Sequence, residues 1–288
     1  MIAGIWAAVL TPLDRNFEPD APRAIAYYGN LLDRGCDGIN ALGTTGEAMS
    51  FDRDQRLRFM EALASSGISK NRMMAGTGAA SLAEAVHLTR AAFDCAFAAA
   101  LVMPPFFFRE ASDDGIVAFF EALFARTNPP PRRVLLYNFP RMSGITFHPA
   151  LVDRLLAEFP EEIAGMKDSS NDPMLQARLL ARHPDLAIFP GSENDLLAAA
   201  QRGVAGCISG SVALWPELAQ AVFRDGDPLQ ARELTERRAV LDGREFIPVV
   251  RHLVAESTGD AGWERPMPPQ RQLAPVEGRA PRSQGESR

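Results

Sequence analysis

A chain of 288 residues, 47% of them hydrophobic, is long enough for one large core or two small ones. Its net charge of −6 comes without any basic block, which argues against a nucleic-acid partner. Three widely separated cysteines, Cys36, Cys95 and Cys207, fit buried thiols in a reducing compartment better than a disulfide frame or a metal site.

The first apolar run, Ile2–Leu10, lacks a basic start and a cleavage site and is too short to span a bilayer. It is expected to be a buried strand of a cytoplasmic protein with no membrane partner. Seven similar runs follow the strand predicted at Gly4–Leu10: Gly38–Leu42, Arg72–Gly76, Ala98–Met103, Arg133–Tyr137, Ile163–Lys167, Leu186–Phe189 and Gly206–Ser209. Continuous apolar character suits parallel strands buried on both faces. Amphipathic stretches fill the gaps. Ser81 with Glu84 reads as a capping box, and Asp172-Pro173, His148-Pro149, Trp215-Pro216 and Asp227-Pro228 read as helix starts. Gly35 and Gly203 read as helix ends.

Eight strand–helix units, each about 30 residues long, predict an α/β fold, the (β/α)8 TIM barrel. A doubly wound sheet would bring a glycine-rich turn after the first strand, where this chain has Thr11-Pro12-Leu13-Asp14. The expected organisation is a barrel over residues 1–225, C-terminal helices packed on it over 226–262, and an irregular tail over 263–288 that is flexible at its end.

In such barrels chemistry collects at the C-terminal ends of the strands. There the chain offers Gly43-Thr44-Thr45-Gly46-Glu47, Pro104-Pro105-Phe106-Phe107-Phe108, Tyr137-Asn138, Lys167, Gly191-Ser192-Glu193 and Ser209-Gly210-Ser211. The histidines, His87, His148, His183 and His252, fall on helices or at their ends, so metal-dependent hydrolysis is set aside and no metal or cofactor is expected. A glycosidase needs two rim carboxylates, and Glu193 is a single candidate. Gly210-Ser211 before a helix is a weak phosphate signal.

Lys167 stands out. Among 30 basic residues only Lys70 and Lys167 are lysines, and Lys70 sits in a polar turn. A guanidinium stays protonated, whereas a desolvated amine can lose its proton and attack a carbonyl. Lys167 is thus a candidate Schiff-base nucleophile. The alternative is a structural lysine paired with Asp168 or Glu47. Tyr137, one of three tyrosines, reads either as a proton shuttle or as a barrel-filling aromatic. Thr44 and Thr45 either present hydroxyls and N–H groups to a carboxylate or form a plain strand-to-helix turn.

Together, Gly43-Thr44-Thr45-Gly46-Glu47, Tyr137-Asn138-Phe139-Pro140 and Gly165-Met166-Lys167-Asp168 make the chain resemble the dihydrodipicolinate synthase/N-acetylneuraminate lyase family over roughly residues 1–275. Its members are pyruvate-dependent class I aldolases. The resemblance implies that Lys167 is the Schiff-base lysine and Tyr137 the proton donor. It implies that Thr44 and Thr45 bind the pyruvate carboxylate, with Thr44 also in the proton relay. It places Gly191 and Ile208 against the substrate, and implies a homotetramer built as a dimer of dimers.

Two departures qualify it. Dihydrodipicolinate synthases carry a relay tyrosine in the loop after the fourth strand, where this chain has Phe106-Phe107-Phe108. They also carry an arginine two residues past the Asn-x-Pro motif, where this chain has Met142. Both argue against dihydrodipicolinate synthesis. The expected activity is a lyase or aldolase acting on another 2-oxo acid with an aldehyde partner, in the manner of a 2-keto-3-deoxygluconate aldolase. Synthase-type condensation, sugar-acid dehydration and a non-catalytic 2-oxo-acid-binding paralogue remain alternatives. The Phe triplet also predicts a subunit interface.

Overall fold

The computed structural model describes residues 2–273. Eight strands run through it: β1 Gly4–Ala8, β2 Gly38–Ala41, β3 Met73–Gly76, β4 Ala99–Val102, β5 Val134–Asn138, β6 Ile163–Asp168, β7 Ala187–Pro190 and β8 Gly206–Ser209. Each lies within or one residue beyond its predicted run; the first stops two residues short of its own. The strands form one parallel sheet in the order β7-β6-β5-β4-β3-β2-β1-β8. Ala205 N donates to Ile188 O at 2.9 Å across the remaining seam, so the sheet nearly closes into a (β/α)8 barrel. β7 ends in Pro190, which has no N–H to extend a ladder there.

Helices α1 Ala21–Asp33, α2 Arg53–Ala64, α3 Leu82–Asp94 and α4 Asp113–Thr127 cover the first half of the barrel. The short α5 Pro140–Ser143 precedes α6 Pro149–Glu158, α7 Pro173–Arg182, α8 Leu196–Gln201 and α9 Pro216–Asp225. Beyond them lie α10 Pro228–Arg238 and α11 Phe246–Thr258. Ser81 caps α3 by accepting from Glu84 N, while a reciprocal capping box forms at Asp52 and Gln55.

Two apolar layers hold the barrel. Alternate strand residues such as Ile5, Ala7, Ile39, Met73, Leu136, Met166 and Ile188 face the helices in one large core. Their neighbours Trp6, Ala8, Met74, Leu101, Leu135, Tyr137, Phe189 and Ile208 fill the barrel interior. Each full burial of a large side chain contributes about 1.5–3 kcal/mol, so this double layer supplies the main stabilisation. Cys36 is buried, and burial pushes its thiol up to about 12; Cys207 is also buried, but Cys95 is only half-buried.

Past α11 the chain stays against the barrel. Trp263 and Met267 are buried, and the Trp263 ring packs on Tyr27 at 4.8 Å between centroids. The expected flexible end, residues 274–288, lies outside the described residues. Among those described, no helix is long and apolar enough to cross a membrane.

Candidate active site

The site is built where β5 and β6 end side by side. Tyr137 pairs in register with Lys167, and Asn138 with Asp168. That register depends on a bulge. Val134 pairs with Ile163, but Leu135 pairs with Gly165, leaving Ala164 as the extra residue. Without it Tyr137 would face Met166, and Lys167 would turn outward, because a slip of one residue exchanges the two faces of a strand.

Lys167 is 5% exposed. Its Nζ donates to Tyr137 Oη at 3.3 Å and lies 4.4 Å from the centre of the Tyr137 ring. Tyr137 Oη is 3.4 Å from Thr44 Oγ1. The structure therefore brings Lys167, Tyr137 and Thr44 into one chain of contacts, buried at its amine end and half-open at Thr44. Both bonds are long for their type, leaving room for a third group to draw these atoms in.

The two carboxylates considered as structural partners of Lys167 are engaged elsewhere. Asp168 points away from the barrel interior and accepts from Asn138 Nδ2 at 2.8 Å, Gln176 Nε2 at 2.9 Å and Ser170 N at 3.1 Å. Glu47 accepts from Arg251 Nε at 2.8 Å and from Met267 N at 2.9 Å. The buried amine thus faces a phenol with neither candidate counter-charge on it.

The remaining predicted residues lie at the ends of β2, β7 and β8. Thr45 is buried, and a methyl at Gly210 would meet its Oγ1 at 2.7 Å, so the turn after β2 abuts the end of β8. Ile208 is fully buried in the barrel interior. Gly191 donates its N–H to Asp168 O at 2.7 Å. A Cβ on it would stand 2.0 Å from Ser169 Oγ, so only glycine lets the end of β7 approach this closely.

Two sequence expectations are refined, and one residue was not foreseen. Glu193 is not a rim carboxylate: it is buried, with Arg238 Nε 3.7 Å from its Oε1. The Phe triplet is not uniformly exposed. Phe107 and Phe108 are 75% and 73% exposed, but Phe106 packs half-buried on the interior cluster. The ring of Phe139 lies 5.7 Å from that of Tyr137. Finally, Arg251 was missed altogether. The available signal was a lone charge within the buried stripe of α11, among Val249, Val250 and Val254.

A cleft of about 260 Å3 lies to one side, lined by Asp168, Gln176, Gly191, Ser192 and Arg202 among others; Lys167, Tyr137 and Thr44 do not line it. Among the described residues no cluster of three or more histidine, cysteine or carboxylate side chains is arranged to hold a metal ion.

Known proteins place this architecture. An uncharacterized DapA-like lyase of Chloroflexus aurantiacus is 38% identical over 221 residues, 76% of this chain and 73% of that one. A 4-hydroxy-tetrahydrodipicolinate synthase of Synechococcus is 31% identical over 80% of this chain and 76% of its own. The crystal structure of dihydrodipicolinate synthase from Agrobacterium tumefaciens superposes with a TM-score of 0.91 at 31% identity, covering 96% of each chain. The sequence matches the dihydrodipicolinate synthetase family over residues 1–280, and the chain belongs to that family of lyases and aldolases.

Proposed function

We propose that this protein is a class I aldolase that cleaves or forms a 2-oxo acid through a lysine-bound pyruvate enamine. One observation carries the reading: a buried Lys167 amine 3.3 Å from a phenol that is itself 3.4 Å from a threonine hydroxyl. In the cleavage direction the neutral amine attacks the ketone carbon, a C–N bond forms, and the carbonyl oxygen leaves as water after taking up protons relayed by Tyr137. The resulting iminium draws electrons from the C3–C4 bond. That bond breaks, the C4 hydroxyl gives its proton to the Tyr137 oxygen, and an aldehyde departs. The enamine left on Lys167 is reprotonated at C3, and water releases pyruvate and the free amine.

Thr44 links Tyr137 to the substrate carboxylate, which the Thr44-Thr45 turn receives. Gly191 and Ile208 shape the wall around it. Met142 and the Phe106-Phe107-Phe108 loop match the positions where the synthases use an arginine and a tyrosine, which favours an acceptor other than the one used in dihydrodipicolinate synthesis. 2-Keto-3-deoxygluconate and aldehydes with an apolar body are the first substrates to try, the latter because Phe139 lies on Tyr137 and Phe106 packs on the same interior cluster. The exposed Phe107 and Phe108 support burial between subunits of a homotetramer, which sedimentation checks. The buried free thiols fit a cytoplasmic setting.

Borohydride reduction in the presence of pyruvate tests the core of the reading. A stable adduct on the peptide holding Lys167 is expected. Equal labelling of Lys167→Ala would remove the assignment.

A further inference from the structure

We propose that Arg251 is a positioning residue for the turn Gly43–Glu47, acting through the Glu47 carboxylate, so that the segment after α11 becomes part of the active-site frame. The inference rests on the reading of Thr44 and Thr45 as the carboxylate-binding turn. Arg251 and Glu47 form an ion pair whose side chains are 1% and 2% exposed. Arg251 Nε donates to Glu47 Oε2 at 2.8 Å, and Nη2 donates to the same oxygen and to Thr11 O at 2.8 Å. Nη1 donates to Trp263 O at 3.2 Å, while Met267 N donates to the other Glu47 oxygen at 2.9 Å. One guanidinium thus joins the end of β1, the turn after β2 and the chain beyond α11.

Glu47 in turn shapes the residues before it. Its N–H donates to Thr44 O at 3.0 Å, and its backbone is left-handed at φ 54°, a conformation a non-glycine residue holds only when fixed from outside. Gly46 is equally confined: a Cβ there would come within 3.0 Å of Thr11 Oγ1 and Val9 O. The same helix reaches the site a second time, since Phe246 at its start packs on Gly210 beside Thr45. Stability alone is a poor reason for this pair. A buried ion pair is often no better than well-packed apolar residues, and the other buried residues of α11 are proline, valine and alanine. What an apolar residue cannot supply is four directed donors on three separate segments.

The test compares R251M, R251K and E47Q with V254A, which opens a cavity on the same helix without touching the turn. Thermal unfolding, the pyruvate concentration giving half-maximal borohydride trapping, and amide exchange over residues 43–48 are measured on each full chain. R251M is expected to raise half-saturating pyruvate by about tenfold, with the maximal trapping rate little changed, because a displaced turn loses carboxylate binding before chemistry. Exchange at Thr44–Glu47 should quicken, and R251K should recover only part of both effects, since one ammonium can pair with Glu47 but cannot span all three segments. V254A should lower the melting temperature while leaving half-saturation and turn exchange unchanged. If R251M shifts half-saturation and turn exchange no more than V254A does, the proposal is overturned. Should R251M fail to fold, E47Q against R251K decides by the same readouts. If the unaltered chain traps no pyruvate, the aldolase reading fails, and the exchange comparison still settles whether Arg251 holds the turn.

Discussion

The inner and outer faces of the β5–β6 junction are one residue apart and differ in kind. Outside, Asn138 and Asp168 are saturated: their side chains share bonds of 2.8–3.1 Å with each other, Gln176, Ser170 and Phe147. Inside, Tyr137 and Lys167 make only the long contacts of 3.3 and 3.4 Å. The rigid pair faces the surrounding helices, and the under-bonded pair faces the barrel interior. On the proposed function, support and chemistry fall to alternate residues of the same two strands, so that a reactive group is held in place without its own bonding capacity being used up.

Substitutions on the two faces should therefore separate cleanly. Lys167→Met removes the amine while keeping an apolar stem of similar length and adding no buried charge, so pyruvate trapping should fall to background with little change in melting temperature. Tyr137→Phe leaves the ring packing intact and removes the proton relay; turnover should fall roughly a hundredfold to ten-thousandfold, read by steady-state assay on a cleaved 2-oxo acid. On the outer face Asp168→Asn should behave oppositely. It sets an amide against the amides of Asn138 and Gln176, and should cost about 2–4 kcal/mol in chemical denaturation while the folded fraction still traps pyruvate. Loss of trapping at unchanged stability would mean that the two faces are not separate.

The smallest effect concerns pH. Asp260 is held below the usual carboxylate range by the Gly262 N–H and then by Arg23. A carboxylate depressed in the folded state contributes stability above its unfolded pKa and loses it as pH falls through the folded value. Melting temperature should thus decline slightly between about pH 5 and pH 3, and Asp260→Asn should flatten that part of the curve without altering trapping at neutral pH.

Much of this was legible in the residues. An apolar run ending in an isolated lysine, in a chain of arginines, marks Lys167 because burial and charge are both visible in order along the chain. The strands were legible because parallel strands buried on both faces read as unbroken apolar runs. The partners of Glu47 were not legible, since they come from segments far away in sequence; Arg251 lies 204 residues from it. The Phe triplet misled for a related reason. Three identical side chains carry no mark of which one turns inward, and only the loop's path sends Phe106 toward the interior.

The extra residue at Ala164 has a wider consequence. Whether a side chain lines a barrel or abuts its helices is a matter of odd and even counting along the strand, and a single insertion reverses the parity of everything after it. A lysine grafted at the end of β6 in another barrel would reach the lumen only if the upstream count were copied as well, so the smallest transferable unit here is the offset together with the amine.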